Sequence, residues 1–150
     1  MKNQFSTLLE QVQALIEGET DLVANMANIA AVLYSNLDDV NWAGFYRVID
    51  QQLVLGPFQG QPACIRIPIG TGVCGTAVSE DKIQLVDDVH QFDGHIACDV
   101  NSRSELVIPI RYQRRVIGVL DIDSPELARF SHNDAVEIGK VVGLLEKTLR

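Results

Sequence analysis

The residues of this chain that could do chemistry are its cysteines and a set of acids placed where a core should not hold them. Cys98 sits near the middle of residues 88–104, DVHQFDGHIACDVNSRS, a polar segment with no helical or strand period between two apolar strand-like runs. Loops of this length inside a compact domain are uncommon and are mostly lids, binding loops or disordered segments. Phe92, Ile96 and Val100 supply apolar anchors, which favours a lid or binding loop over disorder. Cys98 in such a loop fits an attacking thiol. An unperturbed thiol near pKa 8.5 is only roughly 3% thiolate at pH 7, and neighbouring acids lower that fraction. Acids beside a thiol therefore suit a reaction that needs both a sulfur nucleophile and a strong proton donor.

Asp121 and Asp123 interrupt the apolar strand VIGVLDID, and period-two geometry points both to one face. Isolated buried carboxylates are costly, so these acids line a cavity or end the strand in water before Ser124-Pro125. Glu105 decides between the two readings through register. A two-residue loop at Gln113-Arg114 sets Glu105 against Ile122 and away from both aspartates; a three-residue loop brings Glu105 to their face. The turn YQRR has no Asn-Gly or Asp-Gly, so the odd loop is expected, with all three acids in one pocket. They cannot all ionise cheaply there: like charge and burial raise at least one pKa, and the pocket can hold a cationic group while keeping one carboxylic acid protonated.

The elements that must position these groups are short. Phe5, Leu8, Leu9, Val12, Leu15 and Ile16 mark a first amphipathic helix ended by Gly18, and Thr20 can cap a second with the stripe Leu22, Met26, Ile29, Leu33. Residues 41–48 read as a strand with Trp42, Gly44, Tyr46 and Val48 on one face, turning at Asp50-Gln51 into 52–58. Trp42 and Tyr46 could supply an apolar and hydrogen-bonding pocket wall, although core packing, taken alone, is the better explanation of Trp42. Residues 63–68 form a short strand carrying Cys64. The glycine-rich segment at 69–78 lacks the Lys-Ser/Thr of a phosphate loop and reads as a short, tightly packed helix carrying Cys74. Strands follow at 83–86, 105–112 and 116–123, the last with Ile117, Val119, Asp121 and Asp123 on one face. Ser131 caps a final helix facing inward through Ile138, Val141, Val142, Leu145 and Leu149, with Asp134 completing a capping box. Helices at both ends of a run of about six strands indicate an α+β fold, a central antiparallel sheet with the terminal helices packed on one face, as a single domain over residues 1–150.

Composition narrows the partners. Lys and Arg total 12 against 20 Asp and Glu, a net charge of −8, which disfavours nucleic acid and anionic membrane. No apolar run is long enough to span a bilayer and the first residues do not open a signal peptide, so a cytoplasmic location is expected, where thiols stay reduced. No Cys-x-x-Cys pair occurs and His90, His95 and His132 show no ligand spacing, so no metal site is expected from the sequence. Cys64 and Cys74, taken singly, read as small buried apolar residues.

The segments NWAGFY, GPFQGQPACIRI, GTGVCGTAV, FDGHIACDVNSRSELVIPI and GVLDIDSP closely resemble the free methionine-(R)-sulfoxide reductases, which are single-domain enzymes of GAF fold. The resemblance covers nearly the whole chain. It implies that Cys98 is the catalytic nucleophile, Cys64 the resolving thiol and Cys74 a third cysteine able to pair with the nucleophile. It further implies that Glu105, Asp121 and Asp123 bind and activate the sulfoxide, with Trp42 and Tyr46 as pocket wall. Free methionine-(R)-sulfoxide is then the substrate and thioredoxin the external reductant, with no cofactor. Many GAF domains dimerise through terminal helices, a use Phe5 and Leu9 could serve. The competing readings are a stand-alone GAF module that senses a small ligand without a reactive Cys98, and a peroxide-sensing thiol protein.

Overall fold

A computed structural model of the chain describes residues 4–95 and 101–150. Cys98, Ile96 and Val100 lie outside the described residues. In chain order the elements are α1 (Gln4–Ile16), α2 (Leu22–Asn36), β1 (Trp42–Ile49), β2 (Gln52–Gly60), β3 (Arg66–Pro68), α3 (Gly72–Glu80), β4 (Gln84–Val86), β5 (Ser104–Tyr112), β6 (Arg115–Ser124) and α4 (His132–Glu146). The six strands pair antiparallel throughout, in the order β3-β2-β1-β6-β5-β4.

The α+β arrangement matches the period changes in the sequence. Leu8, Val12 and Ile16 of α1, Met26, Ile29 and Leu33 of α2 and Ile138, Val141, Val142 and Leu145 of α4 pack on one face of the sheet. That face is built by Ala43, Phe45, Leu106, Ile108, Ile110, Leu120 and Ile122, and it forms the main core. Each fully buried aliphatic chain there contributes about 1.5–3 kcal/mol by leaving water. Phe5 and Leu9, candidates for contact with a second copy, pack partly buried against this same core. The opposite sheet face carries a smaller cluster in which Trp42, Tyr46, Val107 and Val119 meet α3 through Val73, Cys74 and Ala77.

Local signals held in most places. Ser131 and Asp134 form a reciprocal capping box on α4. The cap of α2 is Asp21, not Thr20: its carboxylate accepts from the Ala24 N–H at 2.9 Å, while Glu19 binds the N–H groups of Thr20 and Asp21. The strand expected over 63–68 is only Arg66–Pro68, so Cys64 lies on the connection before it. The β2 side of that ladder explains the truncation. Gly56 and Pro57 together stand opposite Phe45, making a bulge, and Pro57 has no N–H to extend the pairing.

The β5–β6 hairpin corrects the expected loop while keeping its consequence. Tyr112 pairs with Arg115, so Gln113-Arg114 is a two-residue loop, with φ of 51° and 68° at those residues. Positive φ at both positions is the mirror-image turn whose twist suits a hairpin, adopted here without glycine. The register then shifts by one: Arg111 pairs with Val116 but Ile110 with Gly118, leaving Ile117 as an extra residue. Beyond the bulge Glu105 pairs with Asp123 and Val107 with Asp121. Glu105 therefore joins the aspartates through the bulge and not through the turn. Ile117, expected on the acid face, packs instead against the main core.

A non-glycine residue held at positive φ costs about 1 kcal/mol. Replacing Gln113-Arg114 by Asn-Gly should stabilise the protein by about 1 kcal/mol, read as a higher urea midpoint at unchanged slope.

Candidate active site

The site lies on the sheet face away from the terminal helices, where three strands present their side chains to α3. Asp121 and Asp123 of β6 pair across to Gly44 and Trp42 of β1, and Glu105 of β5 pairs with Asp123 on the other side. Directly opposed residues share a face, so Glu105, Asp121, Asp123, Trp42 and Tyr46 all line one cleft, together with Cys74, His95 and Ser102. The cleft encloses about 550 Å³ counting the part open to solvent.

Gly44 makes the arrangement possible. A Cβ there would lie 2.3 Å from the Phe58 Cβ and 2.8 Å from the Trp42 ring. With no side chain at this position, Trp42 stacks on Phe58 at 5.2 Å and on Tyr46 at 6.0 Å, forming a continuous aromatic wall. The polar tips of that wall are engaged with backbone carbonyls. The Trp42 indole N–H donates to the Gln61 carbonyl at 3.0 Å and the Tyr46 hydroxyl donates to the Cys64 carbonyl at 2.8 Å. The rings thus offer the cleft apolar surface, while their N–H and O–H pin the connection that carries Cys64.

The acids are crowded and dry. Glu105 is 7% exposed and Asp121 5%. Burial pushes the Glu105 carboxyl well above the usual carboxylate range, and Asp121 and Asp123 push it further. Burial also raises Asp121, although hydrogen bonds with Glu105, Cys74 and Asp123 pull it back down. The structure thus favours Glu105 as the proton holder of the pair. Burial, followed by the charge of Asp121, likewise raises the Tyr46 phenol and the Cys74 thiol. His95 is lowered by its own burial and by His90, with Asp121 opposing.

The thiols divide by environment. Cys74, in the first turn of α3, is a buried free thiol, as its sequence context suggested. Cys64 is half-buried and disulfide-bonded. The loop that carries Cys98 is fixed at both ends: Asp88 caps a 3-10 turn at Val89–Gln91, and the Val89 N–H donates to the Arg103 carbonyl at 2.8 Å. Phe92 packs against the smaller cluster as an anchor. Arg103 in turn donates to the Ser124 carbonyl at 2.7 Å, so the loop closes onto the strand end just past Asp123.

Of the residues singled out from sequence, Glu105, Asp121, Asp123, Trp42, Tyr46 and Cys74 come together here, Cys64 lies on the connection that the aromatic wall holds, and Cys98 is outside the described residues. Sequence reasoning did not single out His95, Ser102 or the role of Gly44. Only Gly44 left a signal, a glycine inside an otherwise aromatic strand, which marks close approach.

Residues 6–145 match the family model described as the GAF domain. The chain is 52% identical over 145 residues to the free methionine-R-sulfoxide reductase of Escherichia coli (strain K12), covering 97% of this chain and 88% of that protein. Among solved structures, the fRMsr of Staphylococcus aureus in complex with substrate superposes with a TM-score of 0.94 at 51% identity, covering 100% of this chain and 98% of that one. The free methionine-R-sulfoxide reductase of Neisseria meningitidis in complex with its substrate gives a TM-score of 0.94 at 44% identity, covering 99% and 91%.

The raised acids set a dependence of stability on pH. A carboxyl whose folded pKa lies above its unfolded value holds its proton more tightly in the folded state, so stability falls as pH rises from the ordinary carboxylate range through the folded pKa. Glu105→Gln removes that loss. The variant should be more stable than the parent at pH 7–8, by on the order of 1 kcal/mol, with the advantage vanishing toward pH 4. Urea midpoints across that range measure it, and an advantage independent of pH would contradict the assignment.

Proposed function

Because the chain belongs to the GAF-domain free methionine-R-sulfoxide reductase family, we propose that it reduces free L-methionine-(R)-sulfoxide to L-methionine, with Cys98 as nucleophile. The observation that carries this reading is the crowded cluster of Glu105, Asp121 and Asp123, the first two buried, facing an aromatic wall. The ammonium of a free amino acid complements such a cluster of acids; a peptide-bound methionine has none there. The rings of Trp42 and Tyr46 give the side chain its apolar surface.

The Cys98 thiolate attacks the sulfoxide sulfur while Glu105, protonated because burial and its neighbours hold the proton on, donates to the sulfoxide oxygen. Asp121 and Asp123 hold the ammonium. The sulfur of the substrate is reduced, methionine leaves, and Cys98 is oxidised to a sulfenic acid carrying the former sulfoxide oxygen. Cys64 condenses with it to form a disulfide and release water. A thioredoxin dithiol then restores both thiols by exchange, ending as its own disulfide. Cys64 fits the resolving role better than Cys74. It is the disulfide-bonded one of the two, half-exposed on a connection fixed by Tyr46. Cys74 is buried, and burial with Asp121 holds its proton on. The reaction needs no cofactor, and it suits a thiol-reducing compartment such as the cytoplasm; among the described residues no helix is long and apolar enough to cross a membrane.

Incubating the protein with free L-methionine-(R)-sulfoxide, thioredoxin, thioredoxin reductase and NADPH should consume NADPH, while the S epimer should not. Cys98→Ser should abolish turnover. Glu105→Gln should lower kcat/KM by roughly 10²–10⁴-fold. A small-ligand sensor would bind the sulfoxide without losing titratable thiols, and that result, with no NADPH consumed, would defeat the proposal.

A further inference from the structure

The same cleft brings three different ligand types to one point. The Cys74 sulfur and one carboxylate oxygen from each of Glu105 and Asp121 lie within 4.8 Å of one another. None of this shows in chain spacing, where the three come from α3, β5 and β6. All are more than nine-tenths buried: Cys74 is 4% exposed, Glu105 7% and Asp121 5%. A second observation points to a missing positive partner. Whatever its carboxyl group shares with Cys74, Glu105 and Asp123, the Asp121 Oδ1 atom is buried in the cleft and has no hydrogen-bond partner among the described residues. An unpaired buried carboxylate oxygen costs about 1–3 kcal/mol or more.

The geometry points to a reversible zinc site at Cys74, Glu105 and Asp121 that competes with the substrate. One thiolate with two carboxylates is a borderline-soft set that suits Zn²⁺, whereas Mg²⁺ and Ca²⁺ favour oxygen-only shells. Zn–S and Zn–O distances of about 2.3 Å and about 2.0–2.2 Å put tetrahedral ligands roughly 3.5 Å apart, so the three atoms need to close by about an ångström. The open side of the cleft leaves the fourth position to water, the pattern of three protein ligands plus one exchangeable site. Cys74 and Glu105 each give up a proton as the ion binds. Three further features favour the charged forms. The first turn of α3 stabilises the thiolate, the ion cancels the like charge among the acids, and Asp121 Oδ1 gains a partner. The ion would be an inhibitor and not a cofactor, since it occupies the carboxylates that hold the substrate ammonium and removes the proton from Glu105. That inhibitory part rests on the proposed reductase reading; the binding itself does not.

The test uses the full chain without reductant, so that Cys64 stays in its disulfide and does not compete for metal. Calorimetric titration with Zn²⁺ should show one equivalent bound, with heats that differ between two buffers by the protons released. Co²⁺ in place of Zn²⁺ should give thiolate-to-metal charge-transfer absorption in the near ultraviolet. Cys74→Ser should abolish that band, and both Cys74→Ser and Asp121→Asn should weaken zinc binding by at least the roughly 10- to 100-fold that loss of a supporting partner costs a metal site. No bound zinc, no thiolate band in the unaltered protein, or unchanged affinity in a folded Cys74→Ser would overturn the inference. The cobalt spectrum decides even if neither variant folds. Turnover measured separately with the reduced enzyme keeps the two ideas apart. Zinc binding without any sulfoxide turnover would defeat the reductase reading and leave the metal site standing; turnover without zinc binding would do the reverse.

Discussion

One extra residue governs the chemistry of this protein. Ile117 sits unpaired in β6, and the ladder beyond it is displaced by one position. A strand has only two faces, so a one-residue displacement decides which face a side chain meets. Without the bulge, Glu105 would enter the hydrocarbon core beneath the terminal helices, where an acid has no partner. With it, Glu105 stands against Asp123 and beside Asp121, and the negative charge is gathered into one place open to solvent on one side. The main core, the small cluster under α3 and the division of labour between the two sheet faces all follow from that register.

Gathering the charge is unfavourable for folding. Two buried acids a few ångströms apart, with a third beside them, do not gain from the surrounding hydrocarbon, and the protein answers by keeping a proton on Glu105. The terminal helices and the fully apolar main core provide the stability that this face gives up. The division is spatial: the larger apolar core lies on one side of the sheet, while the second side carries a smaller cluster together with the acids. A site that is destabilised when empty gains most from a ligand of the right charge.

Much of this could be read from residue order, and the failures have definite causes. Period two in VIGVLDID places both aspartates on one face without knowledge of any other strand. Glu105 was placed on the right face for the wrong reason. The absence of glycine at Gln113-Arg114 suggests a longer loop, yet the chain accepts positive φ at two ordinary residues and corrects the register with a bulge at Ile117, four residues before Asp121. A bulge leaves no compositional mark, because Ile117 is as apolar as its neighbours. The early end of β3 follows from Pro57 in the partner strand, a long-range cause invisible in residues 63–68. Trp42 and Tyr46 share a strand face by period two and line the cleft, but the direction of their polar atoms depends on where the chain returns after β2, which no local pattern encodes.

That last detail has a mechanical meaning. The hydroxyl of Tyr46 and the indole N–H of Trp42 hold the backbone at Cys64 and Gln61. The aromatic wall of the cleft and the connection that carries Cys64 are therefore tied together, like a latch mounted on its own striker plate. A tilt of the Tyr46 ring is transmitted to the Cys64 carbonyl through a single hydrogen bond of 2.8 Å, and a tilt of the Trp42 ring to the Gln61 carbonyl through one of 3.0 Å. Filling the cleft and setting the position of the connection at 61–64 are thus a single adjustment of the same lever, whose hinge lies between an aromatic ring and a peptide bond.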